Sequence, residues 1–350
     1  MKRKSEPIPL TKWFKMKGDG VSPNYFYYNY ENNKTEFLVN EPEDYYHIGS
    51  IKWKRYKTKL NIGCSKITKK MSKRNNFVYI DLKENINKKF NKKQIPLLKS
   101  NLQKCIRRSK EDKSLNTGLT LLCLDENELL RRLPIIILED TILIENYTFL
   151  IWLMCSVSKG FDLNDILVNK ILNIIRDIAL TEYRDKYDNE GIKEFNLKKI
   201  KVLDKEKVNI LWSIQLRKSY GGMKGDMNML EYFSIKWYER FKDGVECLKS
   251  SNKQILNNVK SIKYNDIVLS SVDFHCSNIL YFINQLHEDI EEYKLKKAIW
   301  FYRSSITNKK FKYEEKDNKK EKESYNLVWR IIKDDVKTCS KKILNNIYFK

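Results

Sequence analysis

The spacing of apolar positions along the chain changes once. Before residue 82, Tyr25-Phe26-Tyr27-Tyr28, Glu36-Phe37-Leu38-Val39, Ile48 to Lys54 and Phe77-Val78-Tyr79-Ile80 form short aromatic or β-branched runs. Pro, Asn, Gly and Asp separate them, a pattern that predicts strands and turns. From Pro96 the period becomes helical, with Leu98, Leu102, Cys105 and Ile106 on one face. Asp125 with Glu128 predicts the start of a helix carrying Leu129, Leu130 and Leu133, which Pro134 should kink or restart.

Asp162 and Asp165 precede Ile166, Ile171, Ile174 and Ile175, a helix to about Tyr183. Another begins near Lys205, carries Val208, Leu211, Trp212 and Leu216, and ends at Gly221-Gly222. Further helices are expected from Met227 to Phe241 and, capped by Asp273, from Cys276 to about Tyr293. The last amphipathic helix carries Leu327, Val328, Ile331, Ile332, Val336 and Ile343. The predicted fold is α+β, mainly α, with a small β-rich N-terminal module followed by a larger helical domain. Residues 1–20 read as a tail, 21–95 as the β-rich basic module and 96–306 as the helical domain. Within the last, 184–205 is a polar loop or insertion. Residues 307–324 are a mixed-charge linker, and 325–350 form the terminal helix.

Composition adds a partner class. With 68 Lys plus Arg against 45 Asp plus Glu, the formal charge is +23, which concentrates polyanions around the chain. Nucleic acid, with DNA favoured, leads as partner over an anionic membrane surface; AT-rich codon usage is the alternative source of so many lysines. The seven cysteines contain no CxxC pair, which fits reduced thiols in the cytosol or nucleus. There is no apolar leader, and the longest apolar run, Ile142 to Val157, is broken by Glu145 and Asn146. The expectation is a soluble, intracellular protein of the nucleus or of a viral replication site, without a membrane partner.

Residues 52–74 concentrate the charge. Lys52, Lys54, Arg55, Lys57, Lys59, Lys66, Lys69, Lys70, Lys73 and Arg74 occur there without an acid, interleaved with Trp53 and Tyr56 and followed by Tyr79. Cations neutralise phosphates and aromatic faces stack on bases, so the stretch is a candidate nucleic-acid grip. The alternative is a solvated lysine-rich loop whose aromatics face the core.

Three further segments carry resemblances. Pro7-Ile8-Pro9-Leu10-Thr11-Lys12-Trp13-Phe14 resembles a PCNA-interacting peptide, the box that docks proteins on the sliding clamp. Leu10 matches the aliphatic anchor and Trp13-Phe14 the aromatic pair, one helical turn on; Pro7 stands where the family has Gln. The resemblance implies a sliding clamp as partner; otherwise the three anchors staple the tail to the body. Leu102 to Arg108, then Leu129-Leu130-Arg131-Arg132-Leu133-Pro134 and Glu139-Asp140, resemble the helical collar of clamp-loader-type AAA+ recombination ATPases over residues 98–160. That implies a scaffold bundle; with no G-x4-G-K-[ST] sequence, P-loop ATP hydrolysis is not expected. Tyr220-Gly221-Gly222-Met223-Lys224-Gly225-Asp226 is a loop in which Lys224 is a candidate phosphate contact, or a helix C-cap followed by a turn. Together with Asp273-Phe274-His275-Cys276 it resembles segments of uncharacterised proteins of large DNA viruses.

Asp273, His275, Cys276 and His287-Glu288-Asp289 form the only histidine-bearing cluster that could hold a metal, and Glu139, Asp140 and Glu145 could be paired carboxylates for a two-metal reaction. Capping and ion pairing account for them more simply, so no metal and no cofactor is expected. The functional expectation is a non-catalytic nucleic-acid-binding accessory protein of DNA replication, repair or transcription, tethered to a sliding clamp. The alternatives are a metal-dependent nuclease or nucleotide-transfer enzyme and a structural packaging protein.

Overall fold

The computed structural model describes residues 22–66, 78–188, 203–313 and 319–348. The fold is α+β and mainly α, with a small N-terminal four-stranded sheet. Two compact units divide the chain, and neither is continuous in sequence. The first gathers residues 1–77, 130–171 and 187–251; the second gathers 78–129, 172–186 and 252–350.

In the first unit, β1 (Tyr25–Asn29) pairs antiparallel with β2 (Lys34–Leu38) and parallel with β4 (Thr58–Ser65), which pairs antiparallel with β3 (Tyr45–Trp53). The strand order is β2-β1-β4-β3. The fourth strand is masked in the sequence by Lys59 and by Lys57 and Lys66 at its ends. Alternation puts Phe26, Tyr28, Phe37, Trp53, Leu60, Ile62 and Cys64 on the buried face. Two helices supply their partners: Tyr147–Val157, fully buried along its length, and Lys205–Ser219. Trp152 lies 4.8 Å from the Tyr28 ring and donates from Nε1 to the Gly63 carbonyl at 2.9 Å. Trp212 packs edge-on against Trp53, at 5.1 Å. On the other sheet face Gly63 is obligatory, because a Cβ there would meet the Tyr45 ring at 2.0 Å.

A buried ion network ties the turn between β3 and β4 to two helices. Glu231, on the helix Lys224–Lys242, is 4% exposed. It accepts from Arg55 at 3.2 and 3.3 Å, from Gln215 at 3.1 Å and from Lys218 at 2.8 Å. Such a group is retained only when its charge and lone pairs are satisfied. Lys170 sits 4.2 Å above the Phe149 ring, and burial pushes its ammonium down to about 8.

The second unit is built from Val78–Lys89, Ile95–Arg107, Glu111–Leu124, Ser277–Leu286, Glu292–Trp300 and Lys319–Ile343. Val78 to Ile80 begin a helix rather than a strand, because Tyr79 and Ile86, two turns apart, bury together. Gly118 admits Ile175, whose Cδ1 would lie 2.5 Å from a Cβ. Asn101 is fully buried and saturated: its amide donates to Thr117 at 2.8 Å and to the Asp266 carbonyl at 3.2 Å. Its carbonyl accepts from the Val268 N–H at 2.9 Å and from Ser271 at 3.2 Å.

Three other expectations change. The helix Glu126–Asp140 runs through Pro134, which is compatible with helical φ although it donates no bond. The span Cys276 to Tyr293 is two helices, Ser277–Leu286 and Glu292–Trp300, separated at His287 to Glu291. The expected linker at 307–324 contains a short strand, Lys310–Phe311, paired with Tyr183–Arg184, and the start of the long helix at Lys319.

Candidate functional site

Residues 52–66 of the basic stretch form a hairpin end. Lys52 and Lys59 are cross-strand partners, both exposed, and Lys54 and Lys57 project from the 3-10 turn between the strands. Like charges placed directly opposite repel, so this end lacks internal neutralisation across the ladder. Lys66 is also exposed. Trp53, at 1% exposure, belongs to the core, and Tyr56 packs 4.8 Å from Trp212. Arg55 is engaged by Glu231. Trp53 and Tyr56 therefore face inward, as the alternative allowed, and among the described residues of the stretch the exposed charge is that of Lys52, Lys54, Lys57, Lys59 and Lys66. Lys69, Lys70, Lys73 and Arg74, like Leu10, Trp13 and Phe14, lie outside the described residues.

The glycine loop closes around an arginine rather than an empty cradle. Arg217 donates to the carbonyls of Gly221 at 3.0 Å and Arg131 at 2.9 and 3.2 Å. Gly221 and Gly222 adopt φ of 74° and 153°, Met223 is the N-cap of the next helix, and Lys224 opens it as an exposed residue. Asp226 lies 3.7 Å from Arg132.

The carboxylates and histidines considered for a metal are dispersed. Glu139 faces Arg132 at 3.7 Å, Glu145 accepts the Ser250 N–H at 2.8 Å, and Asp273 accepts the Ile279 N–H at 2.9 Å. His287 bonds Asp335 at 2.9 Å. Among the described residues, no group of three His, Cys, Asp or Glu side chains is arranged to hold a metal ion. No helix among them is long and apolar enough to cross a membrane.

An exposed aromatic and cationic surface occurs in the second unit. Helices Ser277–Leu286 and Glu292–Trp300 flank a groove of about 750 Å³. Tyr281, Tyr293 and Trp300 line it and are 60%, 64% and 47% exposed. Lys296 and Lys297 stand between them, with Lys297 5.5 Å from the Tyr293 ring. Tyr293, Lys297 and Trp300 recur at i, i+4 and i+7, so one helical face carries all three. Leu295, Ala298 and Ile299 hold the opposite face in the core. Asn284 also lines the groove, and its Oδ1 is buried without a hydrogen-bond partner. Only Glu292 opposes the cations along the walls.

The ground behind the groove is unusual. Asp273 and Cys276 both adopt left-handed backbone conformations, at φ 51° and 58°, which for non-glycine residues store strain. The groove helix continues beyond Trp300 as a π-helix, Phe301–Ser305, a form that recurs at functional sites. A cavity of about 310 Å³ in the first unit differs, because its charges face one another: Lys34 meets Glu206 at 2.9 Å and Lys207 meets Glu246 at 2.9 Å.

A sequence signal for the groove existed. Tyr281 lies off the stripe formed by Ile279, Phe282, Ile283 and Leu286, so that helix carries an exposed aromatic beyond its apolar face. No family model, curated protein or solved structure matches this chain.

Proposed function

We propose that the protein is a non-catalytic nucleic-acid-binding accessory factor, with DNA as the favoured partner, that holds an unpaired strand in the groove between Ser277–Leu286 and Glu292–Trp300. The observation that carries this reading is the exposure of Tyr281, Tyr293 and Trp300 beside Lys296 and Lys297. Aromatic faces left in water stack on unpaired bases, and lysines between them neutralise the linking phosphates. Asn284 offers an amide to a base edge. The exposed lysines of the β3–β4 hairpin add sequence-independent attraction. A replication, repair or transcription role and a tether to a sliding clamp through Leu10, Trp13 and Phe14 remain part of the proposal and rest on the sequence pattern.

The test is fluorescence anisotropy with a labelled single strand and a duplex of equal length, across a salt series. The reading requires tighter binding to the single strand and a linear fall of log affinity with log salt. Equal binding to both would move the interface to the hairpin lysines. No binding to either would turn the groove, with exposed Leu286, Leu327 and Ile331 in the same unit, into a surface for a protein partner.

A further inference from the structure

Three cations of the second unit converge on the short 3-10 turn Leu269–Ser271. Lys104, 2% exposed, donates to the Ser270 carbonyl and lies 5.4 Å from the Phe274 ring. Arg108 reaches the Ser270 hydroxyl at 2.5 Å and the Arg303 carbonyl at 3.0 Å. Arg303, 3% exposed, donates to Ser340 at 2.8 Å and to the Leu269 carbonyl at 3.0 Å. All these acceptors are neutral. Among the described residues no carboxylate pairs with Lys104, Arg108 or Arg303, although buried charges ordinarily carry a counter-ion. The donors are also not exhausted. Arg108 Nε, Arg303 Nε and the Ser304 hydroxyl, the last in a residue 7% exposed, are buried without partners.

We propose that Lys104, Arg108, Arg303 and Ser304 form a site for a phosphate group, entered past half-buried Arg108. A phosphate oxygen accepts from each orphaned donor and supplies the negative charge that the cluster lacks. The state of Lys104 agrees. Burial first, then the charges of Arg303, Arg107 and Arg108, push its ammonium down to about 7, while Cys276 acts in the opposite direction. Burial and Arg107 likewise lower Arg108. The cluster relieves its repulsion by shedding a proton, and an anion reverses that. The site extends the nucleic-acid reading, because Cys276 lines the groove and Arg303 follows Trp300 on the same helix. It stands on different residues, so either can fail alone.

The probe is inorganic phosphate, titrated into the full-length protein at pH 8 against sodium chloride of equal ionic strength. Thermal unfolding and calorimetry in two buffers of different ionisation enthalpy are the readouts. Expected are a rise in Tm specific to phosphate and net proton uptake as Lys104 recharges. Arg108→Gln, at a half-buried position, should abolish both; Ser304→Ala is the milder second variant and should weaken phosphate at least several-fold. Trp300→Ala should leave the phosphate response intact whatever it does to strand binding. Competition between phosphate and an oligonucleotide, lost with a methylphosphonate backbone, identifies the group as a strand phosphate. Binding without competition identifies a free phosphate. Equal stabilisation by chloride and phosphate, or an unaltered response in folded Arg108→Gln, overturns the site.

Discussion

Replacing Trp300 by alanine separates stacking from charge. The indole is 47% exposed and its helix is anchored by Leu295, Ala298 and Ile299, so truncation should leave folding nearly unchanged. One base–aromatic stack is worth about 1–3 kcal/mol, which is roughly a 5- to 150-fold loss of single-strand affinity. No charge is removed, so the slope of log affinity against log salt should stay constant. Lys296→Gln with Lys297→Gln should do the converse, reducing that slope by about 1.4 units on a single strand, at about 0.7 per phosphate contact. Anisotropy titrations at four salt concentrations resolve both effects. If Trp300→Ala binds as wild type while the lysine pair alone weakens binding, the bases do not enter the groove. If Trp300→Ala changes the slope, the indole acts through its neighbours rather than by stacking.

Other expectations follow from the same geometry. Glu231→Gln leaves Arg55 and Lys218 without their carboxylate in a buried network and should cost about 3–5 kcal/mol, read by urea denaturation; a loss below 1 kcal/mol would mean that the network is solvated. Gly63→Ala drives a methyl into the Tyr45 ring and should destabilise the sheet by about 1–3 kcal/mol, whereas Gly160→Ala, with nothing within 4 Å of its Cβ, carries only the strain of φ 84°. Lys104, held near 7 in the folded chain against 10.5 ordinarily, binds fewer protons folded than unfolded between those values, so its contribution to stability rises with pH. From pH 7 to 9 the gain is roughly 2 kcal/mol, and Lys104→Met should flatten that part of the pH profile. A peptide of residues 1–20 should bind the sliding clamp from the same source and lose roughly 30-fold or more on Trp13→Ala with Phe14→Ala; equal binding of the two peptides would remove the tether.

The mainly helical class, three of the four strands in the first sheet and most helix positions were legible because period 2 and period 3.6 are written in the apolar residues. β4 was obscured, since Lys57, Lys59 and Lys66 drew attention to charge while Leu60, Ile62 and Cys64 kept the strand alternation. Charge also pointed to Trp53, whose burial depends on Trp212, a residue distant in sequence and therefore invisible to a local window. The groove was missed for a related reason. Tyr293 and Trp300 look like core residues in a helical pattern, and only the packing of Leu295 and Ile299 reveals that they face water. The buried cluster at Lys104, Arg108 and Arg303 draws on segments nearly 200 positions apart, which no spacing rule connects.

The interleaved segments set a timetable for synthesis. The sheet is complete once residue 65 has emerged from the ribosome, but Trp152 and Trp212, which cover its apolar face, are made much later. Until then Phe26, Tyr28, Phe37 and Trp53 have only one another and the neighbouring Tyr30 and Tyr56 rings to pack against, and Arg55 waits for Glu231. A nascent chain stopped near residue 95 should consequently be protease-sensitive and aggregation-prone, with protection of the sheet arising only when about residue 250 has been released. The strands, expressed without the helices Tyr147–Val157 and Lys205–Ser219, should not fold as an independent module.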